Sequence, residues 1–272
     1  MNVLYKYCDQ LGIVKILGSL ELKLPYISQV NDPLECLPFF YCPNDKAAIE
    51  ARYLSALKRK NMLPSADYKQ KLENGEIHKI LEKSQRELQR DWNRRKGCLL
   101  SVSKTSQNTV MWAHYADKHK GAVIGIDFDN VSPDTNGPPG ILMNSVSYSK
   151  DRPKMNILSE LVLEEFRKTL FIKSVDWRYE EEFRTIFLVD CLEKMKQQGL
   201  SNFRKINPED TKESWVLKLN PASIKEVVFG LYTDDDLKSK IWKLKERKDL
   251  QHIELLQAEE SETYTLKLKP SA

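Results

Sequence analysis

Two short stretches gather most of the side chains able to act on a substrate. Met111–Gly121 packs a Trp, two of the chain's four His, a Tyr, an Asp and two Lys into eleven residues. Trp177–Arg184 sets three successive carboxylates, Glu180, Glu181 and Glu182, behind Trp177 and Tyr179 and ahead of Arg184. Side chains alternate along an extended chain, so Glu180, Glu182 and Arg184 would share one face and Glu181 and Phe183 the other. Such a row of two carboxylates and a guanidinium can hold a ribose or base hydroxyl and stabilise an adjacent cationic centre. The bland alternative is an edge strand whose charges prevent edge-to-edge pairing.

The first cluster lies between Gly97–Ser103, an apolar run ending in the hydroxyls of Ser101 and Ser103, and Ala122–Phe128, a second run of buried-strand type. It reads as a short helix between two core strands, a common place for a ligand site and an equally common place for packing. At about 100° per residue, Tyr115 falls near the face of Met111 and Trp112 while His114 points elsewhere. His114, Asp117 and His119 lack the i, i+4 spacing of a helical zinc pair, so no metal is expected. Gly-x-Ser-x-Gly, Gly-x-Gly-x-x-Gly and phosphate-loop motifs are absent, which argues against a serine hydrolase, a Rossmann site or a P-loop.

The strands and helices that must position these residues follow from periodicity. Val3–Tyr7 reads as a strand, Gly12–Leu17 as a short helix and Leu20–Leu24 as a half-buried strand. Asn31-Asp32-Pro33 reads as a helix start with Asp32 as N-cap. Residues 45–96 are rich in Lys, Arg, Glu and Gln, with apolar positions at helical spacing. They predict two or three amphipathic helices broken at Pro64 and Gly75. Arg86, Arg90, Arg94, Arg95 and Lys96 form a basic run there, either a solvated face or a docking surface for nucleic acid or an acidic partner. Asn130–Gly140 reads as a loop, Ile141–Tyr148 as a strand and Ile157–Phe171 as an amphipathic helix. Strands are expected at Phe183–Leu188, Ser214–Leu219, Ile224–Phe229, His252–Leu256 and Tyr264–Leu268. Asp234–Leu244 is expected as a helix whose leading Asp residues cap it and complement its dipole.

Composition bounds the class. A chain of 272 residues can bury a full core, and a single α+β domain over residues 1–272, with 45–96 as a helical insertion, is the expected organisation. The net charge of +4 permits contact with nucleic acid without arguing for it. Five scattered Cys with no Cys-x-x-Cys pair suggest reduced thiols, hence a cytoplasmic protein. The first residues lack the pattern of a signal peptide, and no apolar run approaches eighteen residues, so no membrane association is expected.

Leu4-Tyr5-Lys6-Tyr7, Ile16-Leu17, Asn31-Asp32-Pro33 with Glu35, Ser101 and Ser103, Met111-Trp112 with His114-Tyr115-Ala116, His119-Lys120-Gly121, and Trp177, Tyr179-Glu180, Glu182 and Arg184 together resemble the bacterial family called domain of unknown function 2971. The resemblance runs from Leu4 to about Gly230. More distantly, the chain resembles the ADP-ribosyltransferase fold, which carries three active-site stations on strands of a split sheet. Tyr5-Lys6-Tyr7, Ser101-x-Ser103 and Glu180-x-Glu182 fall in the order of those stations, although Lys6 stands where the family pattern has His or Arg.

That resemblance implies a mixed, bent and split sheet and an NAD-dependent transferase acting on a macromolecular target, protein or nucleic acid, of the kind found in bacterial toxins or phage-defence effectors. An antitoxin or defence-system partner would accompany it. Glu182 would be catalytic with Glu180 assisting, and Tyr5, Lys6, Tyr7, Ser101, Ser103, His114, Tyr115 and Arg184 would hold the NAD. Two other functions stay open: a phosphodiester-cleaving enzyme using the His/Glu cluster, and a non-catalytic nucleic-acid or partner-binding module.

Overall fold

The computed structural model describes residues 3–130, 141–159, 163–199, 202–206 and 214–271. The chain begins with β1 (Val3–Cys8), α1 (Gln10–Ser19), β2 (Glu21–Leu24), β3 (Phe39–Tyr41), α2 (Lys46–Arg59), α3 (Tyr68–Glu73) and α4 (Glu76–Arg95). Its middle holds β4 (Gly97–Ser103), α5 (Thr109–Tyr115), β5 (Ala122–Asp127), β6 (Ile141–Ser145), β7 (Ser147–Ser149), β8 (Lys154–Asn156), α6 (Leu163–Thr169) and β9 (Ile172–Ser174). Then come β10 (Glu182–Leu188), α7 (Val189–Gln197), β11 (Phe203–Ile206) and β12 (Ser214–Lys218). β13 (Ile224–Phe229), α8 (Asp235–Lys245), β14 (Glu254–Glu260) and β15 (Leu266–Pro270) end it. These elements gather into two compact units: Met1–Tyr26, Gly97–Val146 and Asp176–Ala272 form one, Ile27–Lys96 and Ser147–Val175 the other.

The first unit is built on an eight-stranded mixed sheet in the order β15-β14-β13-β5-β1-β4-β10-β6. Within this sheet, among the described residues, only β13 and β14 pair in parallel. β5, Ala-Val-Ile-Gly-Ile-Asp, is buried along its whole length, as a strand covered on both faces must be. One face carries the large core, with Leu4, Leu100, Ile124, Phe187 and Val227 under α1 and α8 residues such as Ile13, Leu17 and Ile241. The other face carries Tyr7, Val123 and Val228 under Met111 and Trp112 of α5. β1 and β5 pair over six residues, and β4 and β10 over seven. β1 and β4 meet at Tyr5↔Ser103 alone. The sheet therefore parts between β1 and β4, on the far side of that single pair.

Side-chain caps start α1, two residues ahead of the expected Gly12, and α8. Asp9 accepts from Gly12 N at 2.6 Å to start α1, and Asp234 accepts from Leu237 N at 2.8 Å to start α8. The Asp triplet at residues 234–236 thus begins a helix. After α5 the chain turns through Asp117, Lys118 and His119, all with positive φ (48°, 53° and 68°). Three consecutive non-glycine residues there are strained. The turn is held by Gly121 N to Ala116 O at 2.9 Å and Tyr232 N to His119 O at 3.0 Å.

The second unit has its own core. Helices α2, α3 and α4 occupy the segment expected to be helical, and their apolar stripe buries Ile49, Leu72, Ile77 and Leu81 with Leu37, Phe40 and Ile157. The unit also takes in 27–44 and 147–175, through the parallel pairs β3–β8 and β7–β9. Asn31-Asp32-Pro33 differs from the reading as a helix start. Asp32 does cap, accepting from Leu34 N at 2.8 Å, but the chain makes only a turn and reaches Cys36 at φ 50°. The expected helix 157–171 is short, Leu163–Thr169, with 160–162 outside the described residues. The expected strand 141–148 is broken at Val146, and its halves pair in different units. From residue 131 on, the expected loop Asn130–Gly140 also lies outside the described residues.

Gly121 is a point of close approach: a Cβ there would lie 2.1 Å from Cys8 O. Gly18, in α1, has nothing within 4 Å of its would-be Cβ. Gly121→Ala is expected to lose at least about 2 kcal/mol in urea unfolding, because backbone must move. Gly18→Ala should be neutral or gain up to about 1 kcal/mol. Equal stabilities of the two variants would contradict this packing.

Candidate functional site

Pairing across β1, β4 and β10 sets Tyr5, Ser103 and Glu182 in one cross-strand row, with Ser101 and Arg184 opposite each other in the next. These five side chains project from one face of the sheet by alternation. Residues nearly a hundred positions apart in sequence are thus gathered by strand order alone.

The centre is an ion pair. Arg184 donates from Nε to Glu182 Oε1 and from Nη2 to Oε2, both at 2.9 Å, with Arg184 0% and Glu182 2% exposed. Ser101 Oγ donates to the same Oε1 at 2.6 Å. Lys6 sits at an alternate position of β1, yet its amine spans the parted strands to donate to Ser101 O at 2.9 Å. Burial pulls the Lys6 pKa down, and Cys8, Glu182 and Glu180 oppose it. Lys6, Ser101, Glu182 and Arg184 form one continuous chain of charge-assisted bonds.

Glu180 does not extend that row, contrary to the alternation expected of 180–184. Val175–Glu180 is a 3₁₀ turn and Glu181 takes φ 43°, so β10 begins at Glu182. Glu180 is nonetheless buried, at 5% exposure, and accepts the Tyr115 hydroxyl at 2.6 Å. The N-terminus of α5 is tied to the same turn: Asn108 caps Val110 N and Met111 N at 2.9 and 3.2 Å, and its amide donates to Tyr179 O at 2.8 Å. Asn108 is therefore a positioning residue that sequence reasoning passed over; its place just before a helical run is the signal for it.

The remaining candidates separate by role. Tyr5 is half-buried, and burial, then the Glu226 carboxylate that it hydrogen-bonds, pushes its pKa up to about 12 against a lowering bond from Ser106. Tyr7 donates to Thr105 O at 3.0 Å and packs edge-on to Trp112 at 5.5 Å. Ser103 Oγ accepts from Thr105 N at 3.2 Å. Tyr7 and Ser103 thus shape the loop after β4. Trp112 is fully buried with its Nε1 on Ser106 O at 2.8 Å, as the helical phase requires, and Tyr115 is partly buried. His114 is exposed and stacks on Tyr179 at 5.9 Å without a hydrogen bond among the described residues. Trp177 lies 6.2 Å from Tyr179. The result is a buried charged floor with aromatic rings, Tyr5, Tyr115, Tyr179 and His114, at its margin. His119 stacks instead on Trp112 at 5.9 Å, and burial pulls its pKa down against an opposing backbone bond at Thr109. Among the described residues no three His, Cys, Asp or Glu side chains converge as metal ligands.

Residues 111–185 match the family described as a protein of unknown function (DUF2971). The match runs from Met111 in α5 to Thr185 in β10, so it contains Tyr115, Glu180, Glu182 and Arg184, and over that segment it bears out the resemblance read from the sequence. No curated protein and no solved structure matches the chain.

Two predictions follow from the electrostatics. Arg184→Ala leaves Glu182 buried without its guanidinium and should cost about 3–5 kcal/mol in denaturant unfolding. The double replacement Glu182→Leu/Arg184→Met should recover most of that loss, because it removes both charges. Failure of the double variant to recover would show that the pair itself is indispensable to folding.

Glu226 lies directly opposite Glu254 on the parallel strand, and burial, then that like charge, raises its pKa against the bond from Tyr5. A raised folded pKa means stability that is present below the ordinary carboxylate range and lost as pH rises through the folded value. Glu226→Gln keeps the Tyr5 bond without titrating. Its melting temperature relative to wild type should therefore climb in the variant's favour between about pH 4 and pH 7. A constant difference across that range would contradict the raised pKa.

Proposed function

We propose that the chain is an ADP-ribosyltransferase-like enzyme that cleaves the nicotinamide–ribose bond of NAD and transfers ADP-ribose to a macromolecule, on a sheet of that family's split type. The observation that supports this reading best is the row Tyr5–Ser103–Glu182 beside the parting of β1 from β4, with Glu180 next to it. Tyr5, Ser103 and Glu182, one residue from each stretch that the resemblance points to, lie on the neighbouring strands β1, β4 and β10, which supports the reading.

The chemistry suits the residues. As the C–N bond breaks, its electron pair leaves with nicotinamide and positive charge grows on the ribose C1′. An attacking hydroxyl or carboxylate then bonds to C1′, and a hydroxyl attacker releases its proton to a base. A carboxylate fixed in advance stabilises the developing charge without reorganising. Glu182 is fixed by Arg184 and Ser101, and Glu180 by Tyr115. The rings of Tyr5, Tyr115 and Tyr179 offer flat apolar surface for a nicotinamide.

The test is nicotinamide release from NAD, followed by chromatography, for wild type, Glu182→Gln and Ser101→Ala. Glu182→Gln should lose on the order of a hundredfold or more in kcat with KM little changed, since the charge acts mainly in the transition state. It also disturbs the buried ion pair, so thermal melting must accompany the assay. Ser101→Ala leaves the pair intact and should lose about tenfold or more. Absence of nicotinamide release by wild type, or equal turnover in all three proteins, would overturn the proposal.

A further inference from the structure

We propose that the second unit binds single-stranded nucleic acid along α4, with phosphates on its basic stripe and bases stacked on Phe39 and Tyr41. Charge is divided unequally between the two units. The second has 20 Lys and Arg against 14 Asp and Glu, the first 23 against 25, so the whole excess of positive charge lies in the second.

That excess is organised along one helix. At about 100° per residue, Lys79, Lys83, Arg86, Arg90 and Arg94 fall within roughly 80° of one another, and they run about 22 Å along the axis. Among the described residues none of these five side chains has an ion-pair or hydrogen-bond partner. By contrast Arg95, off the stripe, pairs with Asp91 at 2.8 Å, and His78 lies 3.4 Å from Glu82. Ile77 and Leu81 of α4 are spent on the unit's own core, while Ile80 and Leu88 are exposed.

A further guanidinium joins the stripe from outside the helix. Arg152 is anchored by donating to the carbonyls of Leu37 and Pro38. Burial lowers its pKa, and the like charges of Arg86 and Arg90 lower it further, with Asp32 alone opposing. Three guanidiniums crowd there without enough carboxylate to neutralise them, an arrangement that an anion relieves. The carbonyls that hold Arg152 lead straight into β3, where Phe39 and Tyr41 are 43% and 38% exposed while Phe40 between them is buried. Phe39 pairs with Lys154 of β8. Exposed rings interleaved with unpaired cations are the pattern that receives a strand, bases stacking on the rings and phosphates on the cations.

Other polyanions fit less well. An amphipathic helix binds an anionic membrane by inserting a continuous bulky apolar face beside its cations, whereas the exposed large apolar side chains of α4 are only Ile80 and Leu88, eight residues and about 80° apart, with Ile77 and Leu81 buried. An acidic protein partner needs an apolar centre to its interface, which the stripe lacks. The inference stands apart from the transferase reading, and its assay contains no NAD.

Anisotropy of a fluorescein-labelled oligo-thymidylate of about 20 nucleotides, titrated with the full chain at about 50 mM NaCl, tests it. Binding should weaken steeply with added salt. Arg86→Ala/Arg90→Ala/Arg94→Ala should lose at least about tenfold in affinity, and its salt slope should fall by about two, near 0.7 per lost phosphate contact. Phe39→Ala should lose about fivefold or more, a stacking loss that a purely ionic surface would not register. Lys79→Glu/Lys83→Glu serves as a second charge variant if the triple variant melts early. No binding by wild type, unchanged affinity in the charge variants, or vesicles containing phosphatidylserine bound as tightly as the oligonucleotide and indifferently to Phe39→Ala would overturn the proposal.

Discussion

A carboxylate and a guanidinium two residues apart on one strand, both withdrawn from water, set the terms for the site. Removing Glu182 and Arg184 from solvent costs several kcal/mol per ion before their attraction returns anything. The cost is met because the guanidinium presents two parallel donors to two oxygens and Ser101 adds a third bond. Two apolar side chains of similar volume would pack at least as well there. What the ion pair adds is a fixed electric field on one face of the sheet, and every neighbouring element is arranged to preserve it. β4 supplies the hydroxyl from directly across the strand, and α5 supplies the phenol that holds Glu180 in the adjoining turn.

The strand order explains where this field lies. β1 follows β5 through a six-residue register, whereas its junction with β4 is the one pair Tyr5↔Ser103. Backbone donors and acceptors past that pair cannot satisfy each other, and buried ones must be satisfied somehow. Lys6 takes over part of the task by spanning the gap to Ser101 O, and the loop that follows β4 is held through Ser103 Oγ and the Tyr7 hydroxyl, both on Thr105. The same side chains that look like ligand-binding candidates in the sequence therefore divide into those that keep the gap shaped and those that line it.

This division marks the limit of what the sequence could tell. Alternation and apolar runs locate β1, β4, β5, β10 and β13, and the leading Asp residues locate α8, because these signals are local. The convergence of Tyr5, Ser101 and Glu182 was legible through the ordered motifs. Glu180 was misplaced because its position depends on a single left-handed residue, Glu181, which no local preference demands. Asp32-Pro33 carries a true cap signal and still makes only a turn, since the chain leaves at Cys36 with φ 50°. Residues 45–96 read as a helical insertion, while the unit that holds them also takes in 27–44 and 147–175, which pair through three-residue parallel strands too short to leave a pattern and reach the helices through Leu37, Phe40 and Ile157. Asn108 and Glu226 went unremarked for a related reason: a cap and a strand residue gain their importance only from Tyr179, Tyr5 and Glu254, which lie far off in sequence.

Lys6 ties the site's shape to its charge. Burial alone would favour the neutral amine, and the carboxylates of Glu182 and Glu180 are among the groups that keep the ammonium form. Its bond to Ser101 O is strongest when the amine is charged, and Ser101 is the residue whose hydroxyl holds Glu182. The charges of Lys6 and Glu182 are consequently coupled, each favouring the ionised form of the other. A ligand that places negative charge near Lys6 favours the ammonium, whereas one that neutralises Glu182 favours the free amine.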